Sequence, residues 1–183
     1  FIPANKEKNC RVQSTSDMSF GSELLRRQLQ ELAKNPPEGV SVGLGEDDNM
    51  FVWELMLIGP QDTLYEGGFF SAKLEFPQDF PNSPPVMTFL TPMWHPNVYE
   101  DGKVCISILH PPGEDAFNEF ETATERWRPI IGVESIIVSV MSMLSEPNDN
   151  SPANIDAAVM WREDKKEFKK RVRDVVRRSQ EAM

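Results

Sequence analysis

The chain has 183 residues, 29 of them acidic and 19 basic, for a formal charge of −10, and 39% are hydrophobic. That length suits one domain with tails and a core of its own. The acidic balance argues against a nucleic-acid binder, whose footprint would be basic, and suits partners with basic surfaces. Cys10 and Cys105 do not make a disulfide framework, and no signal-peptide pattern or long apolar run appears. The expectation is a monomer without a membrane partner, in a reducing cytoplasmic or nuclear compartment.

Residues 1–18 lack hydrophobic periodicity and read as a flexible leader that carries Cys10. The remainder, 19–183, reads as a single domain. Ser22 is placed to cap a helix that runs to about Asn35 and stops at Pro36-Pro37. Leu25, Leu29 and Leu32 share one face of it, with Arg26 and Arg27 largely off that face. Such arginines usually belong to a solvated flank; in so acidic a chain they also offer a basic docking surface.

Strands follow. Val40 to Leu44 leads through an acidic turn into Phe51 to Ile58. Phe70, Ala72, Leu74 and Phe76 alternate with Ser71, Lys73 and Glu75, a half-buried strand pattern. Pro77, Pro81, Pro84 and Pro85 restrict the next connection, and Val86 to Leu90 is a fourth strand. The short linkers favour an antiparallel meander.

The stretch from Trp94 to Leu109 holds the chemistry. His95-Pro96-Asn97 cannot continue a helix, because proline restricts its predecessor and lacks a backbone donor. Glu100-Asp101-Gly102 reads as a turn. Val104 to Leu109 reads as a short extended apolar run with Cys105 near its start. A thiol thus follows a rigid turn, with the Asn97 amide on the near side of the same loop. A cysteine nucleophile attacking an acyl group needs that pairing, a sulfur and a fixed donor for the oxyanion. A lone Cys in an apolar run is more often a small buried hydrophobe. A zinc site from His95, Cys105 and His110 is weak, lacking a CxxC pair or HxxxH spacing. A thiol-protease pair, with His95 as base, shows no apolar cleft or orienting residue.

Residues from about 110 to 126 form a long polar stretch with Glu114, Asp115, Glu119 and Glu121, too acidic to be core. Beside a thiol it reads as a lid or a partner-facing arm. Val133, Ile136, Ile137, Val140 and Leu144 fit one face of an apolar helix that ends at Glu146-Pro147. Ser151-Pro152 has the arrangement for capping a short helix through Trp161. Asp164 and Glu167 resemble a capping box for the last helix. Trp53 and Trp161 are assigned to the core. The element order gives an α+β domain with the helices on one face of the sheet.

In order and spacing, Tyr65-Glu66-Gly67-Gly68-Phe69-Phe70, Phe80-Pro81-Asn82-Ser83-Pro84-Pro85, His95-Pro96-Asn97, Gly102-Lys103-Val104-Cys105-Ile106-Ser107-Ile108-Leu109 and Trp127-Arg128-Pro129 are together very specific. Across about residues 20–180 the chain resembles the ubiquitin-conjugating enzymes. The acidic stretch resembles the subgroup with an insertion after the cysteine, in its G1-type branch without a long acidic tail.

That resemblance implies the family fold: an N-terminal helix, a four-stranded antiparallel meander and C-terminal helices. It implies that Cys105 accepts ubiquitin as a glycyl thioester from the activating enzyme and passes it to lysine amines with a ubiquitin ligase, RING-type by expectation. It further suggests polyubiquitin chains that direct degradation. ATP is consumed upstream, so no cofactor is implied, nor is a metal. Asn97 is expected to donate to the oxyanion or to brace the loop, and His95 to brace the turn. Where relatives place gate carboxylates, this chain has Ser107 and Ser151, so the acidic loop or the acceptor is expected to supply the electrostatics. No histidine is obviously paired with Cys105, and acidic surroundings disfavour a thiolate. Arg26 and Arg27 resemble the region that meets the activating enzyme. Asn82, Pro129 and Ile130 resemble the ligase-binding loops. A carrier of a ubiquitin-like modifier and a non-catalytic binding module are the competing readings.

Overall fold

The computed structural model describes residues 20–45, 47–113 and 121–182. Helix α1 (Phe20–Lys34) leads into strands β1 (Val40–Leu44), β2 (Val52–Ile58), β3 (Phe69–Glu75) and β4 (Val86–Phe89). Helices α2 (Val133–Ser145), α3 (Ile155–Glu163) and α4 (Lys165–Glu181) complete the chain. The strands lie in sequence order, each antiparallel to the next. Val40 faces Leu57, Leu57 faces Phe70, and Ala72 faces Phe89. This is the expected α+β architecture.

Period-two burial sets the register. Trp53, Leu55 and Leu57 of β2 and Phe70, Ala72 and Leu74 of β3 are buried, while the residues between them are half-buried or exposed. A one-residue slip would turn this whole set to water. The buried face shares one core with Leu25 and Leu32 of α1, Ile136, Ile137, Val140 and Leu144 of α2, and Phe168 and Val172 of α4. Trp53 is fully buried; Trp161 is half-buried, its ring 5.1 Å from that of Phe168.

Several boundaries differ from expectation. Ser22 lies inside α1, not at its cap. The cap of α3 is Asn154, whose side chain accepts from the Ala157 amide at 2.9 Å, so Ser151-Pro152 belongs to the preceding connection. Asp164 does cap α4, accepting from the Glu167 amide at 3.0 Å. The run from Val104 to Leu109 is not one extended segment. Val104 makes an isolated bridge to Val98, and Ser107–Leu109 then closes into a 3₁₀ turn. That difference decides the chemistry of the site.

Candidate active site

The loop from 94 to 105 is fixed from three sides. Gly102, at φ +90°, crosses the end of β4 so closely that a Cβ would collide with the Phe89 carbonyl. Phe89 N–H donates to the Gly102 carbonyl at 2.9 Å, which joins the loop to the sheet. Only glycine accepts both the backbone angle and the approach. His95, fully buried, bridges the second side. Its Nδ1 accepts from the Asn97 amide at 2.9 Å, so Nε2 carries the proton and donates to the Met143 carbonyl at the end of α2, at 3.0 Å. Burial lowers the His95 pKa to about 4, leaving it neutral. With both ring nitrogens engaged, His95 is neither a base for Cys105 nor a metal ligand.

Asn97 fixes the third side. Its Nδ2 donates to the Asn148 carbonyl at 2.7 Å and its Oδ1 accepts from the Asn148 amide at 2.9 Å. The neighbouring Pro96 carbonyl accepts from the Ala153 and Asn154 amides, at 2.8 and 2.9 Å. The connection that carries Ser151 is thereby stitched to the loop beneath the sulfur. The Asn97 amide faces this connection, in the position of a brace.

Cys105 is half-buried and unpaired with any other cysteine among the described residues. It sits where two grooves meet. One, of about 330 Å³, is mixed in character, lined by Asn97, Ser107, His110, Glu121 and Ser151 together with Ile106, Ile108 and Met143. The other, of about 370 Å³, is walled by Pro84, Pro85, Val86, Tyr99 and Leu109.

The expectation that no histidine pairs with Cys105 is overturned. His110 Nε2 lies 3.3 Å from the Cys105 sulfur. In an extended strand, five residues would separate them by roughly 16 Å; the 3₁₀ turn folds His110 back onto the thiol. His110 Nδ1 in turn lies 2.8 and 3.0 Å from the two carboxylate oxygens of Glu121. Glu121 is held by Arg126 at 2.6 Å and by the Ser107 hydroxyl, and its side chain is only 5% exposed. Charges therefore alternate along a chain of four groups. Tyr99 adds its hydroxyl, donating to the sulfur across 3.9 Å.

The electrostatics follow. The hydrogen bond with His110 lowers the Cys105 pKa against the opposing effect of burial, and the imidazolium charge and Tyr99 add to it. His110 is raised to about 9, first by the bond to Cys105, against burial, and then by Glu121. Burial pushes Glu121 up, but hydrogen bonds from Ser107, His110 and Arg126 outweigh it and hold the carboxyl below its usual value. The thiol is thereby shifted toward its thiolate form, the reverse of the expectation from acidic surroundings.

Ser107, Ser151 and Glu121 thus line the cleft with Cys105. Glu114, Asp115 and Glu119 lie outside the described residues. Glu121 and His110 close the base of the acidic loop, with Trp127 N–H donating to the His110 carbonyl at 3.1 Å. Asn82, Pro129 and Ile130 come together elsewhere, in a groove shared with Phe20 of α1; Ile130 is 85% exposed. Arg26 and Arg27 lie on α1, Arg27 exposed beside Gln28 and Glu31. Sequence reasoning missed His110 and Arg126 as partners in the site. The available signal was a histidine just before Pro111-Pro112, which end any strand, with Arg126 the first basic residue after the acidic run.

The family model of ubiquitin-conjugating enzymes matches residues 24–176. The chain belongs to that family and is a ubiquitin-conjugating enzyme. It is 62% identical over 161 residues to ubiquitin-conjugating enzyme E2 15 of Schizosaccharomyces pombe, covering 88% of this chain and 96% of that one. It is 50% identical to human ubiquitin-conjugating enzyme E2 G2, covering 85% of this chain and 93% of that one. The solved structure of human ubiquitin-conjugating enzyme E2 G1 aligns at a TM-score of 0.61 and 55% identity, over 70% of this chain and 97% of that one.

Proposed function

We propose that Cys105 receives the C-terminal glycine of ubiquitin from the activating enzyme as a thioester and passes it to lysine amines, in concert with a RING-type ligase. The observation that carries this reading is the half-buried sulfur at the junction of two grooves, paired with His110 at 3.3 Å. Two grooves let the acyl group and its acceptor approach the sulfur from different sides. The thiolate matters for charging, because the thiolate is the nucleophile in thioester exchange. The exchange is nearly balanced in energy and needs no cofactor from this chain, since ATP is spent upstream.

Aminolysis is the harder step, because a tetrahedral oxyanion forms. In this reading Asn97 acts by bracing the connection at 146–154, His95 braces the turn beneath it, and Ser107 and Ser151 line the path of the incoming lysine. Glu121, the described end of the acidic loop, supplies the carboxylate that these serines do not. Arg26 and Arg27 face the activating enzyme, and the Phe20, Asn82, Pro129 and Ile130 groove takes the ligase. The protein acts as a monomer in the cytoplasm and nucleus, where a free nucleophilic thiol persists. It builds polyubiquitin chains that direct degradation.

The test is a reaction of ubiquitin, activating enzyme, ATP and this protein, resolved without reductant. A ubiquitin adduct that thiol reductant removes, and that Cys105→Ala lacks, is the expected outcome. A reductant-stable adduct, or one that survives Cys105→Ala, would sink the assignment. Chain building is read by adding lysine-free ubiquitin, which caps growth at one transfer.

A further inference from the structure

Lysine and hydroxyl acceptors place different demands on an acyl-transfer site. An amine that has lost its proton attacks unaided. An aliphatic hydroxyl stays protonated at any accessible pH, so it must surrender its proton as it attacks, to a base already in place. A lysine ammonium must also shed a proton, but it can do so before it attacks; a hydroxyl cannot.

The site holds such a base. His110 is only part-buried, its side chain 29% exposed, and it lines both grooves that meet at Cys105. Glu121 accepts at Nδ1 and fixes the ring, so Nε2 is the nitrogen directed at the sulfur. Arg126 and Ser107 hold the Glu121 carboxylate in turn. In the uncharged enzyme Nε2 is hydrogen-bonded to the Cys105 sulfur, the largest cause of the raised His110 pKa. Acylation takes that partner away. The imidazole then releases its proton more readily, with its free nitrogen beside the acylated sulfur.

We propose that this enzyme also transfers its acyl group to hydroxyl acceptors, serine or threonine side chains, with His110 as the catalytic base. The inference rests on Cys105 being the acyl carrier. The hydroxyl oxygen bonds to the thioester carbonyl carbon while His110 Nε2 takes the hydroxyl proton. The tetrahedral oxyanion collapses, the C–S bond breaks, and Cys105 leaves as a thiolate opposite the imidazolium. The product is an oxygen ester, and the resting Cys105–His110 pair is restored without oxidant, reductant or cofactor.

The experiment charges the full chain with ubiquitin, stops the activating enzyme, and offers Nα-acetyl-lysine or Nα-acetyl-threonine as the acceptor. Adducts are read by intact mass, and esters are distinguished by their cleavage with neutral hydroxylamine. The wild-type protein is expected to form both adducts. His110→Gln is expected to lower the threonine-to-lysine ratio on the order of 10², the worth of a positioned base. Glu121→Gln, which leaves His110 in place, is expected to lower the same ratio less. Water is the smallest hydroxyl acceptor, so the thioester of His110→Gln should also outlive that of the wild type. A wild-type protein that modifies lysine but not threonine would overturn the inference while leaving the carrier reading intact. Equal losses of both acceptors in His110→Gln would do the same. Failure to form any thioester would overturn both.

Discussion

At the scale of single residues, two amino acids near the sulfur make opposite predictions. His110 sets the protonation of Cys105. Because the pair lowers the thiol pKa, alkylation of the wild-type protein by iodoacetamide should level off at a lower pH than for a free thiol. His110→Ala removes the largest cause of the shift. Its thiol should titrate nearer the free value of about 8.5, leaving only a few per cent thiolate at pH 7. Alkylation at pH 7 should then be slower than in the wild type and climb steeply toward pH 9; a profile matching the wild type would remove His110 from this role. Asn97 acts on structure. It is almost fully buried with both ends of its amide bound to Asn148, so Asn97→Ala strands a backbone donor and acceptor. Urea unfolding should show a loss of about 1–3 kcal/mol. Full stability, with lysine discharge slowed on the order of 10²–10³, would identify a direct oxyanion donor instead.

At the scale of elements, the connection before α3 shows how a helix cap reaches the site. Asn154 accepts from the Ala157 amide through its side chain while its own amide donates to Pro96. Asn154→Ala should cost about 0.5–2 kcal/mol by urea midpoint, and hydrogen exchange should quicken at Ala153 and Asn148. Exchange unchanged in that connection would separate the cap from the loop. The strands and α2 were legible in the sequence because their periods of two and 3.6 repeat over enough residues to be read locally. Cys105 and the His95-Pro96-Asn97 turn were legible for another reason: proline and glycine punctuate the backbone there. His110 was not. Val104 to Leu109 is apolar but for Ser107, and no local pattern distinguishes a short strand from a bridge followed by a 3₁₀ turn. Nor does spacing announce that Glu121 closes onto His110 across eleven positions. The cap of α3 was misplaced because Ser151-Pro152 and Asn154 are both competent, and tertiary bonds to Pro96 select the second.

At the scale of the whole molecule, charge is unevenly spread in a chain of net −10. α4 carries Lys165, Lys166, Lys169, Lys170, Arg171, Arg173, Arg177 and Arg178, yet Arg177 bonds Glu181 at 2.7 Å and Lys170 pairs with Glu167 at 3.4 Å. Two of those eight cations are thus paired within the helix, which remains basic as a whole. α1 is shorter, and Arg27 is exposed on a surface that also includes Glu31 and Glu134. If α1 meets the activating enzyme, an exposed cation here acts mainly on encounter, because rim charges steer association more than they hold the complex. Arg27→Glu should then slow charging roughly three- to tenfold at low salt. The deficit should shrink as ionic strength rises and the screening length falls to about 3 Å at 1 M. Discharge of the preformed thioester to free lysine does not involve that encounter and should match the wild type. Measuring both rates across a salt series separates docking from chemistry. Equal charging rates at every salt concentration would remove α1 from the docking surface, and a matching defect in discharge would place the fault in the fold instead.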